Sequence, residues 1–441
     1  MVVGKMSEIT TYEKTKDSGI EWIGSVPSHW RVHTLYQLVT QVKEKNSNLQ
    51  EKNLLSLSYG KIKRKDIDSP DGLLPASFDG YNIIEDGDIV LRLTDLQNDH
   101  TSLRVGLATE RGIITSAYTT LRPIDTSNSK YLFYLLHAFD LKKGFYGMGS
   151  GVRQGLNYAE VKELRIVLPS QKEQDAIVYF LDDQCSEIDL AIDEAKSSIQ
   201  DYKTLKANII STTVLSGLDG DVDKRKCRIE WVPSIPSHWD TARFVYKNWI
   251  RSRLGWKGLK AEEYVEDGYP FLSAFNINNN YLCWEQLNYI TQERYDESPE
   301  IKLRVGDILL VKDGAGIGKC ARIDSLPLGE STVNGSLAVI TPNEDLDYRY
   351  EYYYLQCNVF QNIIARLRNG MGVPHLTQEA MKEIVIPLPP REEQEQIANF
   401  LDTECRKIDE IIELKNLLII ELEMYKRSLI FETVTGKRKV V

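Results

Sequence analysis

The residues best suited to chemistry or binding lie in three glycine-rich runs. The run Asp313-Gly314-Ala315-Gly316-Ile317-Gly318-Lys319-Cys320 approaches a phosphate-cradling loop. It departs from that pattern twice, with Asp313 where the first glycine is needed and Cys320 where Ser or Thr is needed. It does not match GxGxxG either, so a glycine-rich turn is the expected reading. The other two runs stand at matching places in the chain: Gly147-Met148-Gly149-Ser150-Gly151-Val152-Arg153-Gln154 and Arg368-Asn369-Gly370-Met371-Gly372-Val373-Pro374-His375. Glycines there let backbone amides approach phosphates, and Arg or Asn can reach phosphate or base edges. The competing reading is a tight turn into the last element of a domain; it suits the glycines, and binding suits Arg153 and Arg368. Gln154, Asn369 and His375 join them as candidates, with Lys61, Lys63, Arg92 and Lys312 from basic or strand-end positions.

No catalytic set accompanies these residues. Gly-x-Ser-x-Gly, His-Glu-x-x-His and the Asn/Asp-Pro-Pro-aromatic tetrapeptide are all missing from the sequence. The six cysteines, Cys185, Cys227, Cys283, Cys320, Cys357 and Cys405, form no CxxC pair, so reduced, mostly buried thiols are expected rather than a metal site. No apolar run approaches the ~20 residues that span a bilayer, and Met1 to Asp17 lacks a signal-peptide core. A cytoplasmic protein is expected. The net charge of −10 argues against a nucleic-acid partner until its distribution is read. Ser170–Ser216 and Arg391–Gly436 each carry a balance of −5 and so hold the whole excess. The rest is neutral, with basic clusters at Lys61-Lys63-Arg64-Lys65, Arg251-Arg253-Lys257-Lys260 and Arg366-Arg368 that permit nucleic-acid binding.

The elements that must position these residues come in two copies. Glu21-Trp22-Ile23-Gly24-Ser25-Val26-Pro27-Ser28-His29-Trp30 returns as Glu230-Trp231-Val232-Pro233-Ser234-Ile235-Pro236-Ser237-His238-Trp239. Lys162–Asp189 matches Lys382–Asp409 at an offset of 220, with 14 of 28 positions identical. Between these ends the copies share only Gly87-Asp88-Ile89-Val90-Leu91 and Gly306-Asp307-Ile308-Leu309-Leu310. A near-constant frame around a divergent insert is the layout of a scaffold presenting two binding surfaces. The recurring Trp22, Trp30, Trp231 and Trp239 are expected as core anchors.

Ser170-Gln171-Lys172-Glu173 reads as a capping box, and about 45 residues free of Pro and Gly follow it, as they follow Pro389-Pro390. Helices of that length reach roughly 65 Å. Leu181, Ile188, Ala195, Tyr202 and Ile209 repeat in sevens, as do Leu401, Ile408, Leu422 and Leu429, which predicts a helix pair. The apolar stripe is wider than a two-position seam. The extra width fits either a further partner or thicker two-helix packing. Chain order makes the pair antiparallel.

The expected fold class is therefore α+β: two mixed α/β domains joined by two long antiparallel helices in a pseudo-two-fold tandem repeat. The expected bounds are a first domain over 1–168, a helix over 169–217, a linker over 218–227, a second domain over 228–388, a helix over 389–436 and a tail over 437–441. Helical pieces are expected within the domains at Tyr131–Phe139 and Tyr350–Leu367.

Asp17-Ser18-Gly19-Ile20-Glu21-Trp22-Ile23-Gly24, with Pro27-Ser28-His29-Trp30, resembles the opening of the specificity subunits of type I restriction–modification systems. So does Pro387-Leu388-Pro389-Pro390-Arg391-Glu392-Glu393-Gln394-Glu395-Gln396-Ile397-Ala398, with its closing Val434-Thr435-Gly436. Leu91–Asp99 resembles one class of target recognition domain and Leu309–Lys319 another. The resemblance implies two target recognition domains reading the halves of a bipartite, asymmetric site in double-stranded DNA. It also implies helices that dock two methyltransferase (modification) subunits, with restriction subunits completing an ATP-dependent endonuclease. S-adenosylmethionine, ATP and Mg would belong to those partners. This chain would be non-catalytic, with adenine N6 methylated by the complex. Pro233, standing where the first copy has Gly24, is a departure. Two other classes make different demands. A nucleotide-using enzyme would depend on Lys319, and a coiled-coil adaptor would leave no DNA footprint.

Overall fold

The structure, a computed structural model, describes residues 10–67, 77–96, 99, 103–148, 155–254, 258–314, 316–368, 376, 381 and 384–440, without the side chains of residues 367 and 368. The chain divides into two compact units, Met1–Ala195 with Leu417–Val441, and Lys196–Asn416. Each unit holds one insert, the start of the long helix that leaves it and the end of the other long helix.

In the first unit the ordered elements are β1 (Arg31–Thr34), β2 (Val39–Gln41), β3 (Ile89–Leu91), β4 (Val105–Leu107), β5 (Thr119–Pro123), α1 (Ser129–Leu141), β6 (Arg165–Leu168) and α2 (Gln171–Ser216). The sheet runs β2-β5-β3-β4 with antiparallel neighbours, and β6 pairs with β1 beneath the start of α2. In the second unit come β7 (Asp240–Arg243), β8 (Asn248–Arg251), β9 (Ile308–Val311), β10 (Cys320–Arg322), β11 (Leu337–Pro342), α3 (Tyr348–Gln356), α4 (Asn358–Arg368), β12 (Val385–Leu388) and α5 (Arg391–Val434). Their sheet runs β8-β11-β9-β10, again antiparallel, with β7 on β12. The four-stranded sheets of the two inserts, which barely align in sequence, thus share one strand order, while the smaller sheets beside them differ.

The one segment they do share explains itself here. Gly87 and Gly306 precede the central strands at φ +87° and +92°, a region glycine enters without steric cost. The aspartate that follows is buried in both. Asp88 accepts the Glu85 amide at 2.8 Å and both Nε and Nη2 of Arg122, at 2.8 and 2.7 Å. Asp307 accepts the Arg304 amide at 2.8 Å and the Arg251 guanidinium at 2.9 Å. A buried carboxylate must be paired, and each insert has found its own arginine: Arg122 on the strand next to the central one, and Arg251 on the strand beyond the neighbour.

The long helices run antiparallel within each unit, and their contacts recur at the repeat offset. In the first unit Tyr131 Oη donates to the carbonyls of Val167 and Val434, both at 3.1 Å, so the end of α5 lies at the start of α2. Farther along, Lys426 Nζ meets Asp189 at 2.6 Å. In the second unit Tyr350 Oη donates to Val214 O at 3.0 Å, and Lys206 Nζ meets Asp409 at 2.6 Å. Leu181, Cys185, Ile188 and Ile192 enter the first core with Leu429, Ile430 and Val434. Leu401 and Cys405 enter the second with Ile210 and Val214.

The tryptophan–histidine pair of the opening motif is what ties each domain to its helix. Trp30 Nε1 donates to Glu173 at 3.3 Å and His29 Nε2 lies 2.8 Å from the same oxygen. Trp239 Nε1 donates to Glu393 at 3.0 Å, with His238 Nε2 at 2.8 Å. Glu173 also takes the Ser170 amide at 3.3 Å, completing the capping box. The helix ends close on the same tryptophans. A Cβ on Gly436 would come within 2.3 Å of Pro27 and 3.2 Å of Trp30; on Gly217 it would come within 2.9 Å of Glu393 and 3.3 Å of Trp239.

Three expectations change. Trp231 is 52% exposed, with the Arg366 guanidinium over its ring at 5.6 Å, so it is no core anchor; Trp30 and Trp239 are fully buried and Trp22 packs on the core. The expected helix Tyr350–Leu367 is two helices, broken at Cys357, whose extended backbone (ψ 152°) interrupts the ladder. Lys224–Lys226, read as linker, forms a strand on Ser234–Pro236, as Thr15–Asp17 does on Ser25–Pro27.

Candidate nucleic-acid interface

Of the expected contact residues, Arg153, Gln154, Asn369, His375 and the Arg368 side chain lie outside the described residues. What the structure does show is where Leu156 and Leu376, which follow the two glycine-rich runs in the chain, meet the fold. Leu156 N donates to Leu93 O at 2.9 Å, and Leu376 N donates to Lys312 O, also at 2.9 Å. Both carbonyls belong to the segment leaving the central strand. Leu156 and Leu376 therefore each lie at the C-terminal end of the central strand, where Arg92 stands in the first unit and Lys312 in the second. Arg92 is half-buried, its guanidinium 3.8 Å from Asp99, and Lys312 sits 3.2 Å from Asp313. Lys61 and Lys63 occupy the exposed hairpin Lys61–Arg64, with Lys61 Nζ 3.8 Å from Asp189.

In the first unit this end is organised by a residue that sequence reading passed over. Arg104 is fully buried. Its guanidinium donates to the carbonyls of Arg92 (3.1 Å), Thr94 (2.8 Å), Asp95 (3.2 Å) and Asp99 (2.5 Å), and to Tyr146 Oη (2.9 Å). Carbonyls that turn inward to one cation leave the side chains of the same segment facing out, and Thr94 and Asp95 are exposed. The Arg104 amide donates to Asp140 at 2.6 Å; burial still pushes that carboxyl up to about 6. A lone arginine in an insert gives no sequence signal for such a role.

In the second unit the strand-connecting loop Lys312–Lys319 occupies the same end. The amides of Ile317, Gly318 and Lys319 donate to Gly314 (3.3 Å), Val311 (3.0 Å) and Gly316 (3.1 Å). These three amides are engaged with their own loop, as the expected turn requires, and are not free to hold a phosphate. The basic cluster at Arg251-Arg253 is internal instead of being a surface patch. Both residues are 4% exposed, with Arg251 on Asp307 and Arg253 over Phe271 at 5.4 Å.

Among the described residues no group of three His, Cys, Asp or Glu could hold a metal. Burial pushes Cys185 and Cys405 up to about 11 and Cys357 up to about 12, the behaviour of packed thiols. Cys227 and Cys283 are half-buried. Among the described residues no helix is long and apolar enough to cross a membrane.

The acidic helices divide their charge between two duties. Asp182 and Asp402 bind Tyr134 Oη (2.7 Å) and Tyr353 Oη (2.8 Å), and Asp189 and Asp409 bind the lysines of the opposite helix. Leu414, Leu417, Leu418, Met424 and Tyr425 of α5 remain 43–66% exposed at helical spacing, and so does Leu190 of α2 at 62%. The extra width of the apolar stripe is therefore not used up in the helix pair.

Comparison with known proteins agrees with this construction. Residues 256–424 match the type I restriction modification DNA specificity domain. The chain is 25% identical over 338 residues to the type I restriction enzyme MjaVIII specificity subunit of Methanocaldococcus jannaschii, covering 75% of each chain. It is 23% identical over 207 residues to the EcoKI specificity subunit of Escherichia coli, covering 46% of this chain and 44% of that one. A chain from a solved type I R-M system superposes with a TM-score of 0.68 over 93% of this chain and 98% of that chain, at 16% identity, a likeness of fold. Specificity-domain match, relatives along three quarters of the chain and the doubled domain-and-helix fold coincide: residues 256–424 carry a type I restriction modification DNA specificity domain, and the chain as a whole is similar to type I restriction–modification specificity subunits.

Proposed function

We propose that this chain reads a bipartite, asymmetric DNA sequence, one half with each sheet-bearing unit, and holds the modification subunits that methylate adenine at N6. The observation that carries the reading is that Leu156 and Leu376, which follow the two glycine-rich runs in the chain, bond at equivalent places to the segments leaving the two central strands, on inserts whose four-stranded sheets share strand order but not sequence. Equal frames with unequal surfaces suit unequal half-sites. The exposed apolar stripe on α5 and the acidic helix faces suit a protein partner and repel DNA. In this reading restriction subunits join the same assembly. S-adenosylmethionine, ATP and Mg belong to the partner subunits, and the chain itself catalyses nothing.

The test is to map N6-methyladenine across the genome of cells expressing this chain with its modification subunit. The expected result is one split motif with two different halves. Methylation without a motif, or dependence of activity on Lys319 with DNA binding intact, would favour the other readings.

A further inference from the structure

The most exposed large apolar side chain among the described residues is Phe275, at 92%. It does not sit on a loose loop. Ser273 caps the turn Ala274–Asn276, with the Phe275 amide donating to Ser273 Oγ at 3.3 Å and the Ser273 amide to Asn276 Oδ1 at 2.9 Å. Asn276 Nδ2 donates in turn to Gln286 O at 2.9 Å. The Ala274 amide donates to Ser336 Oγ at 3.2 Å, and Ser336 O accepts the Lys312 amide at 2.9 Å. Phe275 is thus carried on a rigid turn two hydrogen bonds from Lys312, at the end of the central strand where Lys312 O also accepts the Leu376 amide. The exposed Lys319 belongs to the loop at the same end.

Exposing a whole phenyl ring is costly. Water disfavours a fully exposed apolar ring, and burial of a side chain of this size is strongly favoured. A backbone held this firmly prevents the ring from folding away. The exposed Lys319 suits a polyanion, Lys312 being half-buried and paired with Asp313 at 3.2 Å, and the ring supplies an apolar edge and face, which suit a thymine methyl group or an unstacked base step. Resting on the DNA-reading function above, we propose that Phe275 is a specificity-determining residue that makes an apolar contact with a base in the half-site read by the second unit.

The test uses the full chain assembled with its modification subunits. The half-site belonging to the second unit is first assigned by exchanging residues 228–388. Phe275→Ala is then compared with Phe275→Leu and with Tyr246→Ala. Tyr246 is 72% exposed but lies in the turn before β8, at the opposite end of the sheet. Phe275→Ala is expected to lower affinity for the wild-type duplex about ten-fold, within the range for base–aromatic contacts. It should also relax the methylation motif at one or two positions of that half-site only, with Phe275→Leu retaining part of the selectivity and Tyr246→Ala behaving as wild type. An unchanged motif and affinity for Phe275→Ala would overturn the proposal. So would relaxation of both halves, or a loss matched by Tyr246→Ala. If the wild-type complex itself showed no motif, the failure would lie with the DNA-reading function and not with Phe275.

Discussion

At the scale of residues, the carboxylates Glu173 and Glu393 hold the frame. Burial raises the pKa of Glu173, but hydrogen bonds from His29, Ser170 and Trp30 outweigh it and hold the group below its usual range. A depressed carboxylate contributes stability that is present above its unfolded pKa and lost as pH falls through the folded one. Glu173→Gln should therefore lower the melting temperature at neutral pH, by about 1–3 kcal/mol in stability, and narrow the gap to wild type in acid. Thermal unfolding at several pH values checks both. Glu351 has the opposite sign. It is fully buried on Asn248, and burial pushes it up to about 8. The folded state thus binds a proton the unfolded state releases between about pH 4.3 and 8, so stability should decline with rising pH across that window. Glu351→Gln should flatten the decline, read as a smaller difference in melting temperature between pH 5 and pH 8.5. Arg153 and Arg368 remain proposed contacts. Replacing either with Ala should cost roughly 1–3 kcal/mol of binding if it reads a base, or weaken all sequences and flatten the salt dependence if it holds a phosphate.

At the scale of elements, the long helices have an inward and an outward duty, and the two can be separated. Lys206 and Lys426 pair inward with Asp409 and Asp189 at equivalent positions. Leu414, Leu418 and Tyr425 face outward. Changing these three to Ser should leave the melting temperature of the isolated chain within a few degrees of wild type, because little buried area is lost. It should reduce co-purification of the modification subunit several-fold. Lys206→Ala should do the reverse, costing stability with assembly less affected. If the triple variant assembled normally, the stripe would be thick packing surface and no dock. Much of this was legible beforehand, since a seven-residue apolar period and the lack of Pro and Gly dictate a long paired helix. The fate of individual charges was not. The sequence shows only that both helical segments are net acidic, whereas Asp182, Asp189, Asp402 and Asp409 each meet a tyrosine or lysine brought from elsewhere in the chain.

At the scale of the whole molecule, duplication lets each unit evolve its surface while the frame stays constant. On the proposed function, replacing 228–388 with the corresponding domain of a similar specificity subunit should change one half-site and leave the other; a change in both, or in neither, would defeat the modular reading. Inserting four residues after Ala195 adds about one helical turn, ~6 Å. It should alter the non-specific spacer by one or two base pairs while both half-sites persist, as read by methylation mapping. What the sequence by itself determined is whatever repeats or is periodic: the two copies, the helices, their capping, and the Trp-His signature that joins them. These rest on local chemistry or on identity at a fixed offset, both readable along a line. Only the tertiary structure decided that the four-stranded sheets of the unalike inserts share one strand order, that Asp88 and Asp307 bury different arginines for the same purpose, and that Trp231 departs from its partner Trp22. It alone brought Arg104 and Phe275 to the ends of the two central strands. Strand pairing and burial depend on residues distant in the chain, and many sequences satisfy one hydrogen-bonded sheet, so neither leaves a pattern that a single sequence can display.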